Sequence, residues 1–206
     1  MDPDETVDPL GPEATSDLET AIEAARRADP WAITCLFRAF QPQLLRYLRY
    51  RAPEVADDLA SETWLATAKS LIGFKGGPRE FRAWLFAIAR RRLIDHYRTV
   101  GRRPSIESLD PNVHGEAVAD VAEVVIDELG AEEALTLLLR GLPPEHAEVV
   151  VLRVVGGLSA EEVATVVGRS AGWVRTTQHR ALRSLEERLL DNGAATRGNS
   201  SKSVTP

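Results

Sequence analysis

The chain has 206 residues, of which 44% are hydrophobic, and a formal net charge of −6. This length allows two small domains or one of medium size, each with a modest core. Its apolar runs are far shorter than the roughly 20 residues of a membrane-crossing helix, and no secretory signal opens the chain, so we expect a cytoplasmic protein without membrane insertion. The single cysteine, Cys35, excludes an intramolecular disulfide and argues against a zinc site. Cys35 lies in an apolar run, where a buried structural thiol is expected.

The charge is distributed unevenly along the chain. Residues 1–19 carry seven acids and residues 105–139 carry nine, with no Lys or Arg in either segment. Residues 79–103 hold eight Arg against two acids, and residues 169–183 hold four Arg and no acid. Because salt screens exposed charges beyond about 8–10 Å, phosphate binding depends on these local basic segments rather than on the net charge. The pattern therefore favours a nucleic-acid partner.

Helical periodicity continues through most of the chain, and no alternating strand pattern occurs, which predicts an all-α fold. The Pro-, Asp- and Glu-rich first 17 residues are expected to lack fixed structure. Helices are predicted over residues 18–28, from Asp29-Pro30 onward with a kink or break at Pro42, and over residues 54–71.

A glycine-rich loop from Gly73 to Pro78 precedes the most strongly predicted helix, residues 79–98. Phe81, Trp84, Leu85, Ile88 and Leu93 form its apolar stripe, and its arginines are expected to face outward.

The second half of the chain has the sequence pattern of a helix-turn-helix. A helix beginning at Leu142-Pro143-Pro144 ends before Gly156-Gly157, and Ser159 with Glu162 matches a capping box at the start of a short second helix. Gly168 ends that helix, and Ser170 caps a longer third one.

The predicted architecture is two small helical domains joined by a flexible acidic linker, and the second domain contains the helix-turn-helix. The acidic N-terminal segment covers residues 1–17 and the first domain residues 18–100. The linker covers residues 101–130, the second domain residues 131–190 and the flexible tail residues 191–206.

The third helix of this group carries side chains suited to DNA. With Trp173, Val174, Ala181 and Leu185 facing inward, its polar residues lie on the exposed side. Arginine binds guanine edges bidentately, and Arg, Thr and His also bind phosphates. The alternative is a solvated basic face on a helical hairpin. The residues predicted to bind DNA are Arg175, Thr176, His179, Arg180 and Arg183.

Three segments resemble those of bacterial sigma factors. Asp57–Trp64 (DDLASETW) resembles the acidic helix by which these proteins bind core RNA polymerase. Residues 81–98 (FRAWLFAIARRRLIDHYR) resemble their promoter-melting helix, and residues 142–181 resemble their promoter-binding domain. The segments follow in the family's order over about residues 20–190, and the two-domain layout is similar to that of the extracytoplasmic-function (ECF) group.

The resemblance implies a non-enzymatic subunit, without metal or cofactor, that binds the β′ and β subunits of core RNA polymerase and promoter DNA. The first domain would melt the −10 element and the second would recognise the −35 element. Members of this group are commonly held by an anti-sigma factor, so such a partner is expected. The implied polymerase-binding residues are Asp57, Asp58 and Glu62; those for the −10 element are Lys75, Arg79, Arg90, Arg91, Asp95 and Arg98.

Three positions depart from the family pattern. Arg91 replaces a frequent Asn, Ser61 replaces a usual Gln, and Thr177 stands where the recognition helix often has Arg. Such changes are expected to alter promoter choice rather than the fold.

Two other classes of function fit the sequence less well. An enzyme is disfavoured because no Gly-rich phosphate motif ends in Gly-Lys-Ser/Thr, no Gly-x-Ser-x-Gly occurs, and no histidine has Glu three residues before it. A stand-alone helix-turn-helix regulator is the closer alternative. Such a regulator binds its operator alone, whereas a sigma factor requires core polymerase.

The acidic segments are expected to pair with the basic ones in the free protein and to suppress stray DNA binding. Deleting residues 1–17 should then raise the affinity of the free chain for DNA at low salt, measured by fluorescence anisotropy. An unchanged affinity would exclude this role for the N-terminal segment.

Overall fold

The computed structural model describes residues 12–101, 139 and 141–199. Before the gap lie α1 (Pro12–Arg26), α2 (Pro30–Arg51), α3 (Ala56–Ser70) and α4 (Pro78–Thr99), with 3-10 turns at Pro53–Val55 and Leu71–Gly73. After it lie α5 (Pro144–Val154), α6 (Ala160–Val167) and α7 (Ala171–Asn199). These residues contain no strand, and the predicted all-α fold is confirmed. The predicted acidic linker lies outside the described residues, apart from Gly101.

The chain divides into two compact units. The first takes in Met1–Pro104 and Val149–Arg175, and the second takes in Ser105–Glu148 and Thr176–Pro206. The first unit therefore contains α1 to α4 together with α6 and the adjoining parts of α5 and α7. In the second unit, Leu139 and Leu142 are buried, and the Leu142 N–H donates to the Leu139 carbonyl at 3.2 Å.

Three helix limits differ from the prediction. Helix α1 begins at Pro12 rather than Leu18, because its buried face of Leu18, Ala21, Ile22 and Ala25 packs against the neighbouring helices. Asp17, one of the acids that indicated disorder, is exposed on this helix. Helix α2 runs through Pro42 without a break. Helix α7 continues to Asn199, past Gly193, where a flexible tail was expected.

The core of the first unit lies between α2 and α4. Helix α2 buries Leu36, Phe40 and Leu44 at intervals of four residues, the spacing of a single helix face. Phe40 contacts Phe81 with ring centroids 5.3 Å apart, and Tyr47 contacts Phe86 at 5.5 Å. At the end of α2, the Tyr97 hydroxyl donates to the Arg51 carbonyl, and burial raises the pKa of Tyr50 to about 12.

Two predictions about α4 were wrong in part. Trp84 and Ile88, assigned to the apolar stripe, are only half-buried, whereas Phe86 and Ala89 are fully buried. The arginines do not all face outward, because Arg82 is 3% exposed. A fully buried arginine requires an acidic partner, and that partner is distant in sequence.

Among the helices of the described part of the chain, none combines the length and apolar character that a membrane crossing requires. Cys35 is a free thiol and is half-buried rather than buried as expected.

The packing of α2 gives a stability prediction. Leu44 is fully buried, so Leu44→Ala should lower the free energy of unfolding by about 2–5 kcal/mol through lost burial and a residual cavity. Leu65→Ala, at a residue 63% exposed, should change it by less than about 0.5 kcal/mol. Urea denaturation followed by circular dichroism measures both. Equal effects of the two substitutions would contradict this description of the core.

Candidate nucleic-acid interface

The helix-turn-helix predicted from residues 142–185 is present, with the capping groups the sequence indicated. The Glu162 N–H donates to Ser159 Oγ at 3.2 Å, and the Ser159 N–H donates to Glu162 Oε2 at 2.5 Å, which completes the capping box. Gly168 ends α6 in the left-handed conformation (φ 69°), which glycine adopts without strain. Ser170 then begins α7 by accepting the Trp173 N–H at 3.2 Å.

Helix α7 exposes all the residues that the sequence assigned to DNA. Val174, Thr177 and Ala181 are buried on its inner side, and Trp173 is half-buried with Arg169 over its ring, 5.4 Å from the centroid. Thr177 is 4% exposed, so its departure from the family pattern affects packing rather than the exposed surface. The exposed candidates are Arg175, Thr176, His179, Arg180 and Arg183.

Two of these arginines already contact acids. Arg175 pairs with Glu161 of α6, and Arg183 Nε lies 3.0 Å from Glu187 Oε1. Both pairs are exposed, so each contributes little to stability and exchanges readily with a phosphate or a base edge. Glu161 is therefore an acid that would compete with the DNA contact predicted for Arg175.

The −10 candidates lie on α4 and the loop before it. Lys75, Arg79, Arg91, Asp95 and Arg98 are exposed, and Arg90 is half-buried. The spacing of Arg91, Asp95 and Arg98 puts them on one helix face, where Asp95 Oδ1 and Arg98 Nη1 are 3.6 Å apart. Arg79 and Arg90, eleven residues apart, share a neighbouring face of α4. The structure thus distributes the predicted set over two adjoining faces.

The loop of residues 74–77 is held in place by contacts on both sides. The Phe74 ring stacks on Trp84 with centroids 4.8 Å apart, and the Gly77 N–H donates to Glu80 Oε2 at 2.9 Å. Gly76 has φ +143°, and a Cβ there would lie 2.7 Å from Glu80 Cβ, so this position requires glycine.

Arg26 of α1 also holds this loop, a role that the sequence did not reveal. Its guanidinium lies 5.8 Å from the Phe74 ring centroid, and Nη2 donates to the Gly76 carbonyl at 3.2 Å. No local motif links Arg26 to a loop fifty residues away, so only the folded arrangement identifies it.

Helix α3 presents an acidic face that includes an apolar residue. Asp57, Asp58 and Glu62 are exposed as predicted, and Leu65 lies on the same side at 63% exposure. Behind them the Trp64 Nε1–H donates to Gln41 Oε1 at 2.7 Å, and Trp64 packs on Phe37. A rigid surface combining acids with an exposed leucine suits a basic protein partner.

Within the described part of the chain, no group of three His, Cys, Asp or Glu side chains is arranged to bind a metal. The candidate residues are mainly charged groups on helical surfaces, which suit binding to DNA and protein.

Comparison with known protein families agrees with this arrangement. Residues 36–103 match Sigma-70 region 2, and residues 132–185 match Sigma-70 region 4. The ECF RNA polymerase sigma factor SigD of Mycobacterium tuberculosis is 34% identical over 182 residues, which cover 85% of each chain. The chain belongs to the ECF sigma factor family.

Other relatives support the same assignment. The ECF sigma factor BldN of Streptomyces coelicolor is 34% identical over 189 residues, which cover 88% of this chain and 70% of BldN. A solved structure of CnrH in complex with the cytosolic domain of CnrY has a TM-score of 0.59 at 27% identity, covering 84% of this chain and 96% of CnrH.

As an ECF sigma factor, the chain binds core RNA polymerase and promoter DNA and directs promoter-specific initiation. The region 2 match in the first half decides against the alternative of a stand-alone helix-turn-helix regulator.

The Arg175–Glu161 pair yields a prediction about promoter affinity. Glu161→Gln should strengthen binding of the polymerase–sigma complex to promoter DNA about two- to fivefold, because it removes the acid that pairs with Arg175, a predicted DNA contact. Glu23→Gln on α1 makes the same charge change at another exposed position and serves as the control. Filter binding at fixed salt measures both. A weaker affinity of Glu161→Gln would mean that Glu161 helps to hold the DNA-binding geometry.

Proposed function

We propose that three surfaces of this ECF sigma factor carry out three separate binding steps in transcription initiation. The acidic face of α3 binds core polymerase, the loop of residues 74–77 with α4 reads and melts the −10 element, and α7 reads the −35 element. This proposal rests on one observation: nearly all the assigned polar residues are exposed, on helices whose opposite faces are buried.

For the −35 element, the proposed readers are Arg175, Thr176, His179, Arg180 and Arg183. A recognition helix places its N-terminal half in the major groove, where arginine distinguishes guanine by its O6 and N7 atoms. Arg180 is exposed between His179 and Arg183 and is the best candidate for a base contact.

For the −10 element, Lys75 and Arg79 flank the turn into α4, while Arg90, Arg91, Asp95 and Arg98 line the helix. Melted DNA exposes bases that are held by stacking and by a positively charged track. The stacked pair of Phe74 and Trp84 supports such a role for the loop, because it lies beside Lys75 and is only half-buried.

For core polymerase, Asp57, Asp58 and Glu62 provide charge and Leu65 provides apolar area. Interfaces combine an apolar centre with charged groups that steer association. We place the partner surface on the β′ and β subunits and the chain in the cytoplasm, where the polymerase works. The chain acts by binding; the polymerase performs the chemistry.

We also propose control by an anti-sigma factor. The solved relative CnrH is bound to the cytosolic domain of a second protein, CnrY. Exposed Trp31, Phe37 and Ile72, at 49%, 43% and 73%, provide apolar surface that a protein partner would cover.

Reconstituted transcription with sigma-free core polymerase tests these assignments. Asp58→Asn with Glu62→Gln should lower core affinity about tenfold, and Asp17→Asn on α1 should leave it unchanged. Arg180→Ala should weaken transcription about tenfold on a promoter with its −35 element intact. The same variant should match wild type when that element is scrambled.

Two results would contradict the proposal. One is full activity of the α3 double variant at limiting core polymerase. The other is an equal loss for Arg180→Ala on intact and scrambled −35 elements, which would indicate a phosphate contact or a folding defect instead of base reading.

A further inference from the structure

The loop of residues 74–77 contacts α1, a helix that precedes the matched region 2. The match to Sigma-70 region 2 begins at residue 36, whereas α1 ends at Arg26. From this last residue of α1, Nη2 donates to the Gly76 carbonyl at 3.2 Å, and the guanidinium lies over the Phe74 ring, 5.8 Å from its centroid. A helix outside the matched region therefore supports the loop that leads into α4.

The two contacts of Arg26 lie on either side of Lys75. Phe74 and Gly76 are the residues before and after Lys75, which is exposed and is the −10 candidate that this loop carries. The Phe74 ring also stacks on Trp84 of α4, so its position is fixed from two helices. A side chain that reads a ligand must be held within about 0.5 Å of its productive position by the residues around it. Arg26 is thus placed to set the point from which Lys75 extends.

Stability alone does not explain an arginine at this position. Arg26 Nε is buried and finds no acceptor among the described residues, and an unsatisfied buried donor costs free energy. A positive charge is favourable at the C-terminal end of a helix, but the exposed Arg27 supplies the same charge. The planar guanidinium can contact a ring and a carbonyl together, whereas the ammonium of lysine is a point charge. These contacts point to a role in the loop.

A direct phosphate contact is the other role open to an arginine beside a DNA-binding loop. Such a contact strengthens binding to every sequence and adds to the salt dependence of binding. In the structure, however, Arg26 is half-buried and its guanidinium is already occupied by the Gly76 carbonyl and the Phe74 ring. The observed orientation therefore favours an effect on the loop over an effect on the phosphates.

We propose that Arg26 is a positioning residue for −10 recognition, which acts by fixing the backbone on both sides of Lys75. The fixing of the loop rests on the observed contacts, and its effect on promoter choice rests on the proposed function of the loop. Without Arg26 the loop occupies more arrangements, and binding to the correct −10 element must then order it. The loss falls on the sequence that the loop reads, so Arg26 contributes to discrimination between promoters.

Amide hydrogen exchange in the free chain tests the fixing of the loop. The N–H groups of Phe74 and Gly77 donate to protein acceptors at 3.0 and 2.9 Å, so both report opening of the loop. Arg26→Gln should speed the exchange of both amides at least about fivefold, because the loop opens more often. Arg27→Gln removes the same charge at the exposed neighbouring position and should leave both rates unchanged. NMR resolves the two amides and shows that each variant is folded.

Competition binding of the polymerase–sigma complex tests discrimination. The DNA is a promoter of its own genome in three forms: intact, with a scrambled −10 element and with a scrambled −35 element. Arg26→Gln should lower the preference for the intact −10 element about tenfold and leave the −35 preference and the salt dependence unchanged. Arg26→Lys keeps the charge but should lose most of the −10 preference as well. Arg27→Gln should behave as wild type.

Two results would overturn the positioning role. One is equal weakening by Arg26→Gln on all three promoters, with a salt slope smaller by about one and full recovery in Arg26→Lys, which would identify a phosphate contact. The other is unchanged exchange of the Phe74 and Gly77 amides. A wild-type complex that binds the intact and −10-scrambled promoters equally would instead overturn the proposed function of the loop, and amide exchange would still decide whether Arg26 fixes it.

Discussion

One broad buried face of helix α4 is the constraint on which the first unit depends. Phe81 and Phe86 pack into the aromatic core of α2, and Arg82, which lies between them around the helix, contacts Glu162 of α6. A helix buried in this way has only its remaining surface for DNA. The exposed arginines of the −10 set lie on that surface, so the same helix serves as core and as candidate interface.

Different types of residue serve the packing role and the candidate DNA-binding role. Aromatic and aliphatic groups fix where α4 and α7 lie, and long charged side chains at neighbouring positions extend into solvent. Thr177 and Arg82 show that polarity alone does not place a residue on the exposed side, because both are buried. The loop before α4 shows the same difference between residues. Arg26 and Glu80 bind its backbone, whereas Lys75 is exposed to solvent.

Much of this arrangement was accessible from the sequence because its signals are local. The capping box at Ser159, the glycine at 168 and the proline that begins α4 act within a few residues. Periodicity identified part of the buried surface, including Phe81 and Leu85 of α4. The start of α1, the burial of Arg82 and the role of Arg26 were missed. Each depends on contacts with other parts of the chain: α1 packs on α2 and α4, Arg82 pairs with Glu162, and Arg26 donates to the Gly76 carbonyl. No pattern in one sequence specifies such pairs.

If this ECF sigma factor opens promoters through α4, the most direct measurement is permanganate reactivity of thymines around the −10 element of a promoter from its own genome. Thymines in duplex DNA are protected by stacking, whereas unpaired ones react. We expect reactive thymines only when the chain and core polymerase are both present, and loss of that reactivity when α4 carries Arg91→Ala with Arg98→Ala. Unreactive thymines with both proteins present, at a promoter that the complex demonstrably occupies, would contradict a role in melting.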